Sequence, residues 1–115
     1  MTEPFSLIET ASFKRAARRF LRRHRDLVGK VYEILEQLRE DPFEPSLRLH
    51  NLTGKLAGKQ AVSITYTYRI VLCVEITEHE VILHNIGTHD EVYGLLTLRQ
   101  RKLPIKPLGT MVRPE

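Results

Sequence analysis

Four residues after Pro45 have the types that phosphodiester chemistry requires. They are His50 in Leu49-His50-Asn51-Leu52, Arg69 in Thr67-Tyr68-Arg69-Ile70, and His89 with Tyr93 in Gly87-Thr88-His89-Asp90-Glu91-Val92-Tyr93. Cleavage of RNA by its own 2′-hydroxyl needs a base for the hydroxyl proton, an acid for the leaving 5′-oxygen and a cation for the charge gathering on the phosphate. Two imidazoles and a guanidinium supply all three, since an ordinary histidine pKa of about 6.5 lets one ring accept a proton while another donates. Taken singly, a histidine is more often a hydrogen-bonded structural residue than a catalyst. Arg69 stands among apolar neighbours, so its charge must reach solvent, pair with Glu75 or Asp90, or await an anionic ligand.

Other chemistries find less support. The five histidines (His24, His50, His79, His84, His89) lack the paired spacing of metal sites and there is one thiol, so no metal and no cofactor are expected. Neither a Gly-rich phosphate loop nor a G-x-S-x-G nucleophile elbow is present. Cys73 lies in an apolar run and is expected to be a small buried hydrophobe in a reducing compartment. With no basic leader before an apolar stretch and no run of ~18 apolar residues, the sequence predicts a cytoplasmic protein that does not enter a membrane.

The elements that must position these groups follow from periodicity. Phe5–Glu9 reads as a first strand, and Thr10-Ala11-Ser12 offers hydroxyls to the start of a helix. From Phe13 the apolar residues Phe13, Ala16, Ala17, Phe20 and Leu21 recur at helical spacing, with Lys14, Arg15, Arg18, Arg19, Arg22 and Arg23 between them. Asp26 is a candidate cap for a second helix with the stripe Leu27, Val31, Ile34, Leu35 and Leu38, stopped by Pro42. A loop with one brief extended piece around Leu47–Leu52 follows, and then three strands, Ala61–Thr67, Tyr68–Glu75 and Glu80–Gly87, with a turn at Thr77-Glu78-His79. Asp90 is a candidate cap for a short helix over Tyr93–Leu98.

Both helices fall together in sequence, so the expected fold class is α+β: an N-terminal strand, then a two-helix hairpin packed on one face of a small, mainly antiparallel sheet of about four to five strands. The other sheet face is then free to bind. At 115 residues the chain allows one domain, placed at 1–95, with a basic, proline-containing tail at 96–115. Its 42% hydrophobic and 28% charged composition is that of a folding chain rather than a disordered one.

The formal charge of +4 makes polyanions the first partners to consider. Arg15, Arg18 and Arg22 on the first helix, and Lys55 and Lys59 after the loop, are candidate phosphate contacts. Tyr66, Tyr68 and Tyr93 are candidate base-stacking rings, of which at least one is expected in the core. A charge run is also commonly just a solvated face, and the first helix equally offers a surface to an acidic protein.

Several segments in order resemble the RelE/ParE superfamily of type II toxin–antitoxin toxins, and most of all its YafQ-like mRNA interferases. They are Ser12-Phe13-Lys14-Arg15, Glu40-Asp41-Pro42-Phe43, Leu49-His50-Asn51-Leu52-Thr53-Gly54, Tyr68-Arg69-Ile70-Val71 and Ile86-Gly87-Thr88-His89-Asp90-Glu91-Val92-Tyr93. The resemblance spans about residues 5 to 94. It implies a sheet backed by two helices, metal-free cleavage of mRNA in the ribosomal A site, and a cognate antitoxin. It assigns acid–base roles to His50 and His89, phosphate contact to Arg69 and base positioning to Tyr93. The chain departs from the YafQ-like pattern at Ser63 and Thr67, where a histidine and an aspartate are expected and neither residue titrates near neutral pH. That loss keeps two alternatives open, a ParE-like inhibitor of DNA gyrase and an inactive, antitoxin-binding family member.

Overall fold

Thr10 ties the first helix to the sheet. In a computed structural model, which describes residues 3–88, its side-chain oxygen accepts from the Phe13 N–H at 3.1 Å and its hydroxyl donates to the Leu83 carbonyl at 2.8 Å. Its backbone N–H donates to the same carbonyl at 3.2 Å. One residue thus satisfies an orphan amide of the helix start and fixes that start against a distant strand. Strand β1 (Ser6–Glu9) leads into helix α1 (Ala11–Arg23), a single 3₁₀ turn covers Arg25–Leu27, and helix α2 (Val28–Glu40) follows.

After α2 the chain forms a 3₁₀ turn at Pro45–Leu47, the two-residue strand β2 (His50–Asn51), another 3₁₀ turn at Gly54–Leu56, and strands β3 (Gln60–Ser63), β4 (Tyr68–Glu75) and β5 (Glu80–Thr88). The five strands lie in the order β1-β5-β4-β3-β2, with β1 parallel to β5 and every other pair antiparallel. The expected α+β class and the helix pair on a small sheet are present, and β1 makes the sheet mixed. No helix among the described residues is long and apolar enough to cross a membrane.

Period-two alternation assigns the two sheet faces. Ile70 and Leu72 of β4, Val62 of β3, and Val81, Leu83 and Ile86 of β5 share one core with Phe13, Ala16 and Phe20 of α1 and Val31, Ile34 and Leu38 of α2. The apolar stripes of both helices are therefore the buried ones, as their spacing predicts. Residues of opposite parity on β4, namely Arg69, Val71, Cys73 and Glu75, belong to the second face.

Four local expectations are corrected. Asp26 does not cap α2; Leu27 holds the cap position with no side-chain hydrogen bond, because the 3₁₀ turn begins the rise of chain before Asp26 can act. The strand expected over Ala61–Thr67 ends at Ser63, since Thr65 Oγ1 accepts from the amides of Thr67 at 3.2 Å and Tyr68 at 3.3 Å and turns the chain. The extended piece expected over Leu47–Leu52 shrinks to His50–Asn51, bounded by Arg48 in the left-handed region at φ 56°. Cys73 is half-buried on the second face rather than sealed in the core. The short helix expected after Asp90 lies outside the described residues.

The Thr10 clamp yields a direct test. Thr10→Ala removes both side-chain hydrogen bonds and is expected to destabilise the fold by about 1–2 kcal/mol. Thr10→Ser should recover most of the loss in urea unfolding.

Candidate functional site

The second sheet face carries the polar groups that the core cannot hold. His50 pairs with Ala61, Ala61 with Val71 and Val71 with Asn85, so these four residues form one row across β2, β3, β4 and β5. Directly opposed residues share a face. A second row, Ser63, Arg69 and Gly87, runs beside it. His50 and Arg69 therefore stand on the same face, two strands and two residues apart, which ordinary sheet spacing makes ~12 Å between Cα atoms. Ala61 and Val71, 0% and 2% exposed, give this face a closed apolar floor.

The tautomer of His50 follows from its contact. Nδ1 lies 2.9 Å from the Arg48 carbonyl, which can only accept, so Nδ1 carries the proton. In the neutral ring Nε2 is then the free acceptor, exposed at the sheet edge. Arg69 is half-buried and its Nε is buried with no hydrogen-bond partner. No ion pair joins it to Glu75 among the described residues. A cation in this condition pays a desolvation penalty that an anionic ligand would offset.

A second group gathers beside the first row. Between Val71 and Leu72 the β4–β5 register slips: Val71 faces Asn85 while Leu72 faces Leu83, which leaves His84 as the extra residue of a bulge. A bulge of this kind sets two successive side chains opposite one residue, here on the second face. Extending the β3–β4 register by one residue places Lys59 opposite Cys73, and the Cys73 Sγ donates to the Gly58 carbonyl at 3.5 Å. Burial, helped by the charge of Lys59, pushes the half-buried His84 below its ordinary pKa. Burial raises the Cys73 thiol, with Lys59 lowering it in part and Glu75 adding to the rise.

The other candidates distribute as follows. Lys55 is exposed in the 3₁₀ turn after β2, and Lys59 is half-buried just before β3. Tyr66, at 99% exposure, occupies the bend after β3. Tyr68 is the core member of the tyrosine set: its ring lies 5.1 Å from Phe20 and 4.6 Å from His24. Arg15, Arg18 and Arg22 are exposed on α1, in the layer across the sheet from His50, so the fold does not bring them to the imidazole. His89 and Tyr93 lie outside the described residues. The place of His84 is not legible in the sequence, because a bulge, unlike an alternating strand, leaves no mark in hydropathy.

No family model matches the sequence, and no curated protein matches it. Solved structures do match in fold. YafQ from E. coli superposes with a TM-score of 0.67 at 14% identity, over 78% of this chain and 99% of that one. A YoeB/ParE toxin from Agrobacterium tumefaciens gives 0.63 at 21% identity, over 74% and 99%. The toxin–antitoxin complex RelBE2 from Mycobacterium tuberculosis gives 0.58 at 20% identity, over 75% and 99%.

Because the Cys73 thiol is held protonated, its alkylation by iodoacetamide at pH 8 is expected to be slower than that of a free thiol. Lys59→Met should slow it further and Glu75→Gln should speed it, as followed by mass spectrometry.

Proposed function

From the RelE/ParE toxin fold that this chain adopts, we propose that it is the toxin of a type II toxin–antitoxin pair and acts as a metal-free endoribonuclease on mRNA in the ribosomal A site. The observation that supports this reading is that His50 and Arg69 share the sheet face opposite the two described helices, with an imidazole acceptor at the edge and, inward of it, an Arg69 Nε that has no partner among the described residues. The guanidinium stabilises the charge that grows on the phosphate in the transition state, where a preorganised and partly desolvated donor counts most. His50 and His89 form the acid–base pair, and Tyr93 positions a base.

The phosphate backbone needs further cations along its path. Lys55 and Lys59 flank the His50 strand and serve as those contacts, with Tyr66 available to stack on an unpaired base. Arg15, Arg18 and Arg22 stand on the opposite layer and serve a second surface, either ribosomal RNA or the antitoxin. The complex with an antitoxin in the mycobacterial neighbour, together with the all-cationic charge of α1, supports a cognate antitoxin with an acidic segment. The absence of titrating groups at Ser63 and Thr67 favours the second reading, a gyrase-binding toxin that cuts no RNA.

Expression of the free toxin should arrest growth and leave codon-phased breaks in transcripts mapped by primer extension. His50→Ala with His89→Ala should abolish both, and Arg69→Ala should slow cleavage by about 10²–10³. Intact transcripts beside a DNA-damage response would overturn the nuclease reading in favour of gyrase.

A further inference from the structure

His84 is the one described imidazole that has a place on the second face besides His50. His24 packs its ring at a tilt against Phe20 at 4.5 Å and Tyr68 at 4.6 Å on the helical side. His79 stacks on Phe5 at 4.0 Å and contacts the Glu3 carbonyl through Nε2 at 2.7 Å. Both are satisfied by their surroundings. His84 has no hydrogen bond to a described residue, and the bulge exists at its position. A bulge costs ladder hydrogen bonds, and a frequent return for that cost is a side chain re-aimed toward a site.

The placement suits a reacting phosphate. Arg69 lies on β4 between β2, which bears His50, and β5, which bears His84. Ordinary strand spacing sets Arg69 ~10 Å from His84 and ~12 Å from His50 between Cα atoms on the one face. One guanidinium is thus flanked by two imidazoles. Ser63, beside Arg69 in the register, offers no titrating group there.

We propose that His84 is a catalytic residue of this site, the base that takes the 2′-hydroxyl proton. This rests on the nuclease reading above. The neutral imidazole removes the proton, the 2′-oxygen forms a bond to phosphorus, and the bond from phosphorus to the 5′-oxygen breaks. His84 thereby takes over the base's role from the pair named above, and His50, once protonated, gives a proton to that oxygen. The products are a 2′,3′-cyclic phosphate and a 5′-hydroxyl, with no oxidant or further reactant consumed.

The surroundings keep the ring in the form this role needs. Lys59 reaches it from the β3 side, Cys73 and Glu75 share the face on β4, and Glu80 lies further along β5. From β1 the same-face neighbour is Ile8, which is uncharged, with the exposed Glu9 beyond it. Lys59 is the charged group that acts on His84, and it adds to burial in disfavouring the imidazolium. A base held neutral through the physiological range is ready at any turnover.

The test is single-turnover cleavage of ribosome-bound mRNA by the purified toxin from pH 5 to 8.5. Wild-type cleavage is expected to rise with pH through a midpoint below 6.5, the ordinary histidine value. His84→Gln should lower kcat by about 10²–10⁴ and remove that limb, with KM within about threefold of wild type. Lys59→Met should move the midpoint upward, because the cation that depresses the imidazole is gone. That second variant decides the matter if His84→Gln fails to fold. Cleavage by His84→Gln near the wild-type rate with the same limb, or an unmoved midpoint in Lys59→Met, would overturn the assignment while leaving the nuclease reading intact. A wild-type protein that cuts no mRNA would remove both.

Discussion

The alternation of β4 governs the rest of the molecule. Of its even-numbered residues Ile70 and Leu72 are wholly buried in the core shared with the two helices and Tyr68 and Val74 pack against it, so its odd-numbered residues have no choice but the other face. A slip of one residue would carry Arg69 into the apolar core and expose Ile70 and Leu72. The free energy against that slip combines lost apolar burial, of roughly 1.5–3 kcal/mol for each large side chain, with the penalty for an unpaired buried guanidinium. Arg69 is therefore placed by the packing of its neighbours rather than by any contact of its own.

Much of this was legible because it rests on periodicity. Tyr68–Glu75 is the strand that the sequence predicts, residue for residue, and the stripes of α1 and α2 bury the side chains their spacing selects. The sheet position of β1 was not legible, since parallel pairing with β5 joins segments more than seventy residues apart, and nothing local in Ser6–Glu9 names its partner. The same limit applies to the Thr10 bond to Leu83. Its capping role is local and was readable, whereas its clamp role is tertiary.

The candidate site was legible by residue type more than by geometry. His50 and Arg69 stood out because an imidazole in a polar loop and a cation in an apolar strand each call for a partner. Lys59 was readable as a cation but not as the neighbour of His84, because that contact depends on Gly58 at φ 92° turning the chain toward β4. Cys73 was misread as sealed for a related reason: an apolar run in a sheet covered on one side has half its residues on the uncovered side. The run Ile70–Val74 looks uniform in sequence, yet only its even members meet the helices.

The two faces also differ in how they treat polar groups. On the helical side and at the edges the side chains find partners: Thr10 with Phe13 and Leu83, His24 with Phe20 and Tyr68, His79 with Phe5 and Glu3. On the second face the Nε of Arg69 has none among the described residues, and burial together with the charge of Lys59 drives His84 toward neutrality. Each of those arrangements opposes folding, and a fold selected for stability alone would replace them with apolar residues of similar volume, which commonly costs nothing or stabilises. The Arg69 Nε lies on the sheet face opposite the two described helices, and an anionic ligand is the kind of partner that would offset its desolvation.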